Sequence, residues 1–115
     1  MDNLINETIG SYNLYVNKVP AGAEYIANSL REDRETDALQ AIKDFSEGVL
    51  WLSEVSELLK SNGVTANLNM EKIQEFLIEI NNGLEKQDYV LVADMFEYEI
   101  APFFEQVEVI KGFDN

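Results

Sequence analysis

The stretch Ile5–Leu30, "INETIGSYNLYVNKVPAGAEYIANSL", decides how the rest of the chain is read. Its apolar residues fall at Ile5, Ile9, Tyr12, Val16, Val19, Ala23, Ile26 and Leu30, a spacing of 4, 3, 4, 3, 4, 3, 4 without a slip. That interval returns each side chain to one face of an α-helix, so the stretch predicts a single amphipathic helix of about seven turns. Pro20 lies inside it. A proline removes one backbone hydrogen bond and crowds the preceding turn. Because the phase of the stripe survives across it, one kinked helix is predicted rather than two separate ones.

Working outward, "REDRETD" (31–37) breaks the pattern with charge, and a second stripe begins at Ala38 and continues through Ile42, Phe45, Val49, Leu52 and Leu59. Ser56 stands in register, while Leu39, Val55 and Leu58 widen the face. The predicted helix runs from about Asp37 to Lys60, with Asp33 or Thr36 as N-cap and "SNG" (61–63) as its stop. Gly48 in its middle points to a close approach of another helix. A third helix carries Ile73, Phe76, Leu77, Ile80 and Leu84, with Asn69 as N-cap. Asp88 caps a fourth, whose stripe is Val92, Phe96, Ile100, Phe103, Val107 and Ile110, with Pro102 predicted to kink it. Lys60, Lys86 and Lys111 fall near predicted C-termini, where they complement the helix dipoles.

The predicted fold is all-α. Residues 1–115 form one domain, an antiparallel up-down four-helix bundle with a long, proline-kinked first helix and a short third helix. At 1.5 Å per residue the first two helices are about 35 to 42 Å long and the third about 25 Å. The third is therefore expected to fall short of the pole shared by helices 1, 2 and 4.

The chain has 115 residues, 8 Lys+Arg against 22 Asp+Glu, no His and no Cys, giving a formal net charge of −14. This field repels phosphate backbones and anionic lipid, which argues against nucleic-acid and membrane partners and fits a basic partner, or solubility alone, better. No apolar run approaches the roughly 18 residues that a membrane span needs, and the start has neither basic nor apolar signal-peptide character. A cytoplasmic setting is expected.

Catalysis by proton transfer most often uses His, and the usual triads and zinc sites need His or Cys. The remaining chemical option is an all-carboxylate site for a hard cation, with Asp94, Glu97 and Glu99 as its residues. Glu97 and Glu99 point about 200° apart on a helix, however, so they cannot enter one core together. No Walker or Rossmann glycine pattern exists, and no cofactor is implied. The chain is expected not to be an enzyme.

Aromatics carry more information. Trp51 lies off the main stripe, one turn before Val55 and two before Leu58, where large aromatics act as interface anchors. Phe103 and Phe104 are adjacent, so only one can sit centrally on the fourth stripe and the other is left over. The candidate protein-binding residues are Trp51, Val55, Leu58, Phe103, Phe104 and Val107.

The segment "GLEKQDYVLVADMFEYEIAPFFEQ" (83–106) resembles one found in small, acidic, uncharacterised helical proteins of low-GC Gram-positive bacteria. More loosely, the arrangement is similar to the FliS-type flagellar export chaperones, helical bundles that hold an amphipathic segment of another protein. That similarity is architectural and brings no functional residue with it. Three readings follow. The first is an adaptor or chaperone-like module whose apolar groove, at the end formed by helices 1, 2 and 4, takes a partner protein. The second is a homodimer that buries the same surface against itself, and the third is a carboxylate-metal enzyme.

Overall fold

A computed structural model describes residues 2–111, and all regular structure there is helical. Helix α1 spans Asp2–Arg31, α2 Glu35–Ser61 and α3 Met70–Glu85. The fourth helical segment, 89–105, is composite: α4 covers Tyr89–Met95, a π-helical turn covers Phe96–Ile100, and α5 covers Ala101–Glu105. Residue 1 and residues 112–115 of the expected single domain lie outside the described residues.

All eight residues of the first stripe are buried, from Ile5 through Tyr12 to Leu30. Each contributes roughly 1.5–3 kcal/mol for a side chain of Val or Ile size, which is why an unbroken 4,3 pattern organises the whole fold. Helix α1 runs through Pro20 as one assigned helix. It is the central element, packed against α2 on one side and against 89–105 on the other. At its C-terminal end Arg31 forms a fork to Asp94 at 2.8 Å and to Glu97. These hydrogen bonds, first Asp94 and then Glu97, raise the guanidinium pKa. Nearer its start, the Asn13 side chain donates to the Ile110 carbonyl and accepts from the Ile110 N–H, both at 2.8 Å. The two contacts hold the ends of 89–110 along α1.

The second stripe is buried as expected at Ala38, Ile42, Phe45, Val49, Leu52 and Leu59. Between Leu52 and Leu59 both Val55 and the hydroxyl of Ser56 are buried. Leu39 and Leu58, expected to widen the buried face, are instead exposed. Neither Asp33 nor Thr36 caps α2. The helix begins at Glu35 after Arg34, which makes no side-chain cap bond. Asp33 is occupied by the preceding turn: it takes a left-handed φ of 62° while the Arg34 N–H reaches back to the Ser29 carbonyl at 2.8 Å. The same six-to-one closure ends α2 at Gly63 and α3 at Gln87, with Val64 bonded to Leu59 and Asp88 to Gly83. Only Gly63 adopts this conformation without a Cβ penalty. The caps of the later helices follow expectation: Asn69 accepts from the Lys72 N–H and Asp88 from the Leu91 N–H, both at 3.1 Å.

The largest departure lies in the last helix. Pro102 has no N–H to donate one turn back, and its ring crowds the carbonyl there. Just before it the turn widens, and the Ala101 N–H bonds to the Phe96 carbonyl five residues earlier. One extra residue in a turn rotates everything downstream by about 100°. The buried series therefore reads Phe96, Ile100, Phe104, whereas Phe103 is only half-buried. The helix stops at Glu105, so Val107 and Ile110 are not helical; they pack half-buried against the core from an irregular tail. Edge-to-face aromatic contacts link Phe96 to Phe45 (5.3 Å), Phe45 to Phe104 (6.3 Å), Phe104 to Phe103 (5.1 Å) and Phe103 to Phe76 (5.4 Å). This chain joins α2, the last helix and α3 into one core.

Candidate functional site

Along the seam between α1 and α2 the surface is hollowed in three adjoining places. The first, about 280 Å³, lies among Tyr15, Val19, Gly22, Tyr25, Ile26 and Phe45, with Lys18 and Asp44 also lining it. The second, about 320 Å³, is formed by Ser11, Leu14, Tyr15, Lys18, Gly48 and Trp51. The third, about 310 Å³, is formed by Leu4, Glu7, Thr8, Ser11, Trp51, Val55 and Leu58. The first two share Tyr15 and Lys18, and the last two share Ser11 and Trp51, so the hollows follow one another along the seam and together make an open groove that the Tyr15 side chain crosses.

Two local features build it. Gly48 leaves α2 without a Cβ where the Tyr15 ring crosses it; a methyl added there would stand 1.8 Å from the Tyr15 hydroxyl oxygen. The close approach expected at Gly48 is thus made by a side chain. Tyr15 in turn meets Trp51 edge-on, with ring centroids 6.0 Å apart at 72°. Burial, reinforced by the nearby Asp44 carboxylate, raises the Tyr15 pKa. Around this aromatic pair the groove carries exposed apolar side chains, Leu4 and Leu14 on α1 and Leu58 on α2.

The six candidate residues are not brought together. Trp51, Val55 and Leu58 line one hollow, Trp51 half-buried, Val55 buried beneath it and Leu58 half exposed at 49%. None of the residues lining these three hollows comes from 89–111. Phe104, expected to be the phenylalanine left without a place, is 2% exposed and belongs to the core, because the π turn rotates it inward. Phe103 spans the gap to Phe76, and Val107 packs half-buried against the core from the tail.

On α1, Leu4 and Leu14 lie outside the buried stripe, and Tyr15 and Tyr25, aromatics whose residue type alone assigns them to the core, line the groove instead. On α2 the positions 44, 47, 51, 54 and 58 repeat at 3, 4, 3, 4, a second stripe beside the buried one. It holds Asp44, Glu47, Trp51, Glu54 and Leu58. Mixing carboxylates with apolar residues hides it from a search for hydrophobic periodicity.

For chemistry the site offers little. Among the described residues no group of three or more His, Cys, Asp or Glu is placed to hold a metal ion. Asp94 and Glu97, two of the three carboxylates considered for a cation, are engaged by Arg31. Among the described residues no helix is long and apolar enough to cross a membrane.

Fold and groove together define a small all-helical domain with one long apolar seam open to the outside. The chain belongs to the family described as a domain of unknown function, DUF8042, whose model matches residues 7–109. No curated protein and no solved structure matches it.

Proposed function

We propose that this chain is a non-enzymatic protein-interaction module, an adaptor or chaperone-like bundle of cytoplasmic setting, that holds a partner protein in the groove between α1 and α2. Its helices alternate in direction, up-down-up-down, which sets α1 and α2 side by side along their length. The carrying observation is the shape and chemistry of that seam: three successive hollows, two of them lined by Trp51, with Leu4, Leu14 and Leu58 exposed along them. Exposed apolar groups gathered in one groove, with an aromatic at the centre, are what helix-in-groove recognition uses.

Site-specific photocrosslinking in native cells tests this reading. A crosslinking amino acid at Leu14 or Leu58 should yield one dominant protein adduct, and the same group at Ile78, exposed on α3, should not. Equal yields from all three positions, or none from the groove, would overturn it. An adduct of the chain with itself would identify the homodimer as the occupant.

A further inference from the structure

We infer that the occupant of the α1–α2 groove is a basic amphipathic helix of a partner protein; this rests on the interaction reading above. Length comes first. The lining residues of α1 run from Leu4 to Ile26, which at 1.5 Å per residue is about 33 Å, so a helix of about six turns fits alongside. Spacing agrees with it, because both walls repeat at 3 and 4 and would meet an occupant's apolar residues at i, i+3, i+4 and i+7.

Charge chooses the kind of helix. Glu7 and Asp44 line the groove, and Glu47 and Glu54 lie on the same repeating face of α2 as Trp51. Against them stands Lys18, the one cation among the residues lining the three hollows. Helix α2 carries six carboxylates and two lysines, and the chain as a whole is at −14. Lys and Arg on the occupant's flanks reach these carboxylates while their stems cover the apolar floor. A second copy of this chain is the poorer occupant, because a two-fold pairing through the groove brings two acidic faces together, each carrying Glu7, Asp44, Glu47 and Glu54.

The test uses the full chain and two designed peptides of about 22 residues, sized by the helical rise. Both have Leu at i, i+3, i+4 and i+7 and no aromatic residue; one has Lys and the other Glu at the remaining positions. Trp51, the single tryptophan, reports binding by its emission. The Lys peptide should bind saturably and the Glu peptide should not. Leu58→Asp and Leu4→Asp should each weaken the Lys peptide by about tenfold or more, as loss of an interface anchor does, although each adds attractive charge. Ile78→Asp, the same charge on α3, should not weaken it.

If both peptides bind alike, the groove reading stands and the basic-helix inference falls. If the Asp variants at 58, 4 and 78 all tighten binding, the attraction is general charge and the inference falls. If neither peptide binds, sedimentation decides: a dimer dissolved by Leu58→Asp replaces the basic helix with a second copy, and a monomer insensitive to that change overturns both readings.

Discussion

The π turn before Pro102 makes a prediction that reverses what uniform helical periodicity implies. In an uninterrupted α-helix starting from buried Phe96, Phe103 returns to within about 20° of the core direction and Phe104 lies about 80° away. With one residue inserted Phe104 comes to within about 20° of the core direction and Phe103 swings to about 120° from it, so Phe104 becomes the buried ring at 2% exposure. Each of the two phenylalanines makes two edge-to-face contacts, Phe104 with Phe45 and Phe103, and Phe103 with Phe76 and Phe104. Truncation to alanine therefore removes the same number of ring pairs in both cases, and the difference isolates burial. Phe104→Ala should cost about 4 kcal/mol, within the range for a fully buried ring, and Phe103→Ala about 2 kcal/mol. A chain of 115 residues has about 6–17 kcal/mol of stability in total, so both variants fold. With a urea slope of about 1.5 kcal/mol per molar, the midpoints should fall by about 2.7 M and about 1.3 M. Far-ultraviolet circular dichroism and Trp51 emission, followed together, check that unfolding is two-state. A Phe103→Ala cost equal to or larger than that of Phe104→Ala would refute the π turn and restore a regular helix through Pro102.

Other consequences are more local. Gly48→Ala gains about 1 kcal/mol in helix propensity but forces the Tyr15 ring aside at an overpacking cost of about 1–3 kcal/mol, so a net loss of up to about 2 kcal/mol is expected. Trp51 emission should change with it, because the Tyr15 edge contact is lost. The Tyr12 hydroxyl is buried with no hydrogen-bond partner among the described residues, so Tyr12→Phe should leave stability unchanged or raise it by up to about 1 kcal/mol in thermal melts. Burial raises the pKa of both Tyr12 and Tyr15 above the usual 10.0. A raised folded-state value means stability is intact below about pH 10 and is lost as pH rises through the folded values. Alkaline melts should show that loss, and Tyr12→Phe should reduce it. Gln87→Gly relieves a left-handed non-glycine residue at the end of α3 and should raise the melting temperature, by an amount equivalent to about 1 kcal/mol or less.

Legibility in the sequence followed the continuity of each signal. The unbroken 4,3 stripe of α1 located its buried face residue by residue, and the Asn69 and Asp88 caps were readable because a single side chain makes each one. Asp33 misled because its side-chain type fits a cap, while the turn there is closed by backbone bonds that any residue can make. Phe104 was misplaced because one extra residue in a turn leaves no mark in composition; only Pro102 hinted at it, and a proline is equally compatible with an uninterrupted helix, as at Pro20. Of the candidate site, Trp51, Val55 and Leu58 were legible as an off-stripe edge of α2. Their counterparts on α1 were not, because Leu4, Leu14 and Tyr25 alternate there with Glu7, Ser11 and Lys18, and such a face reads as ordinary hydrated surface.

The most direct test of the central proposal, that the α1–α2 seam is the docking surface, is a methyl NMR spectrum of the full chain with and without the partner recovered by crosslinking. Exposed methyl groups are distributed on both faces, Leu4, Leu14 and Leu58 along the groove and Ile78 and Val90 away from it. The account predicts that the three leucines shift or broaden on binding while Ile78 and Val90 keep their positions. Shifts centred on Ile78 and Val90, with the groove leucines unmoved, would contradict it.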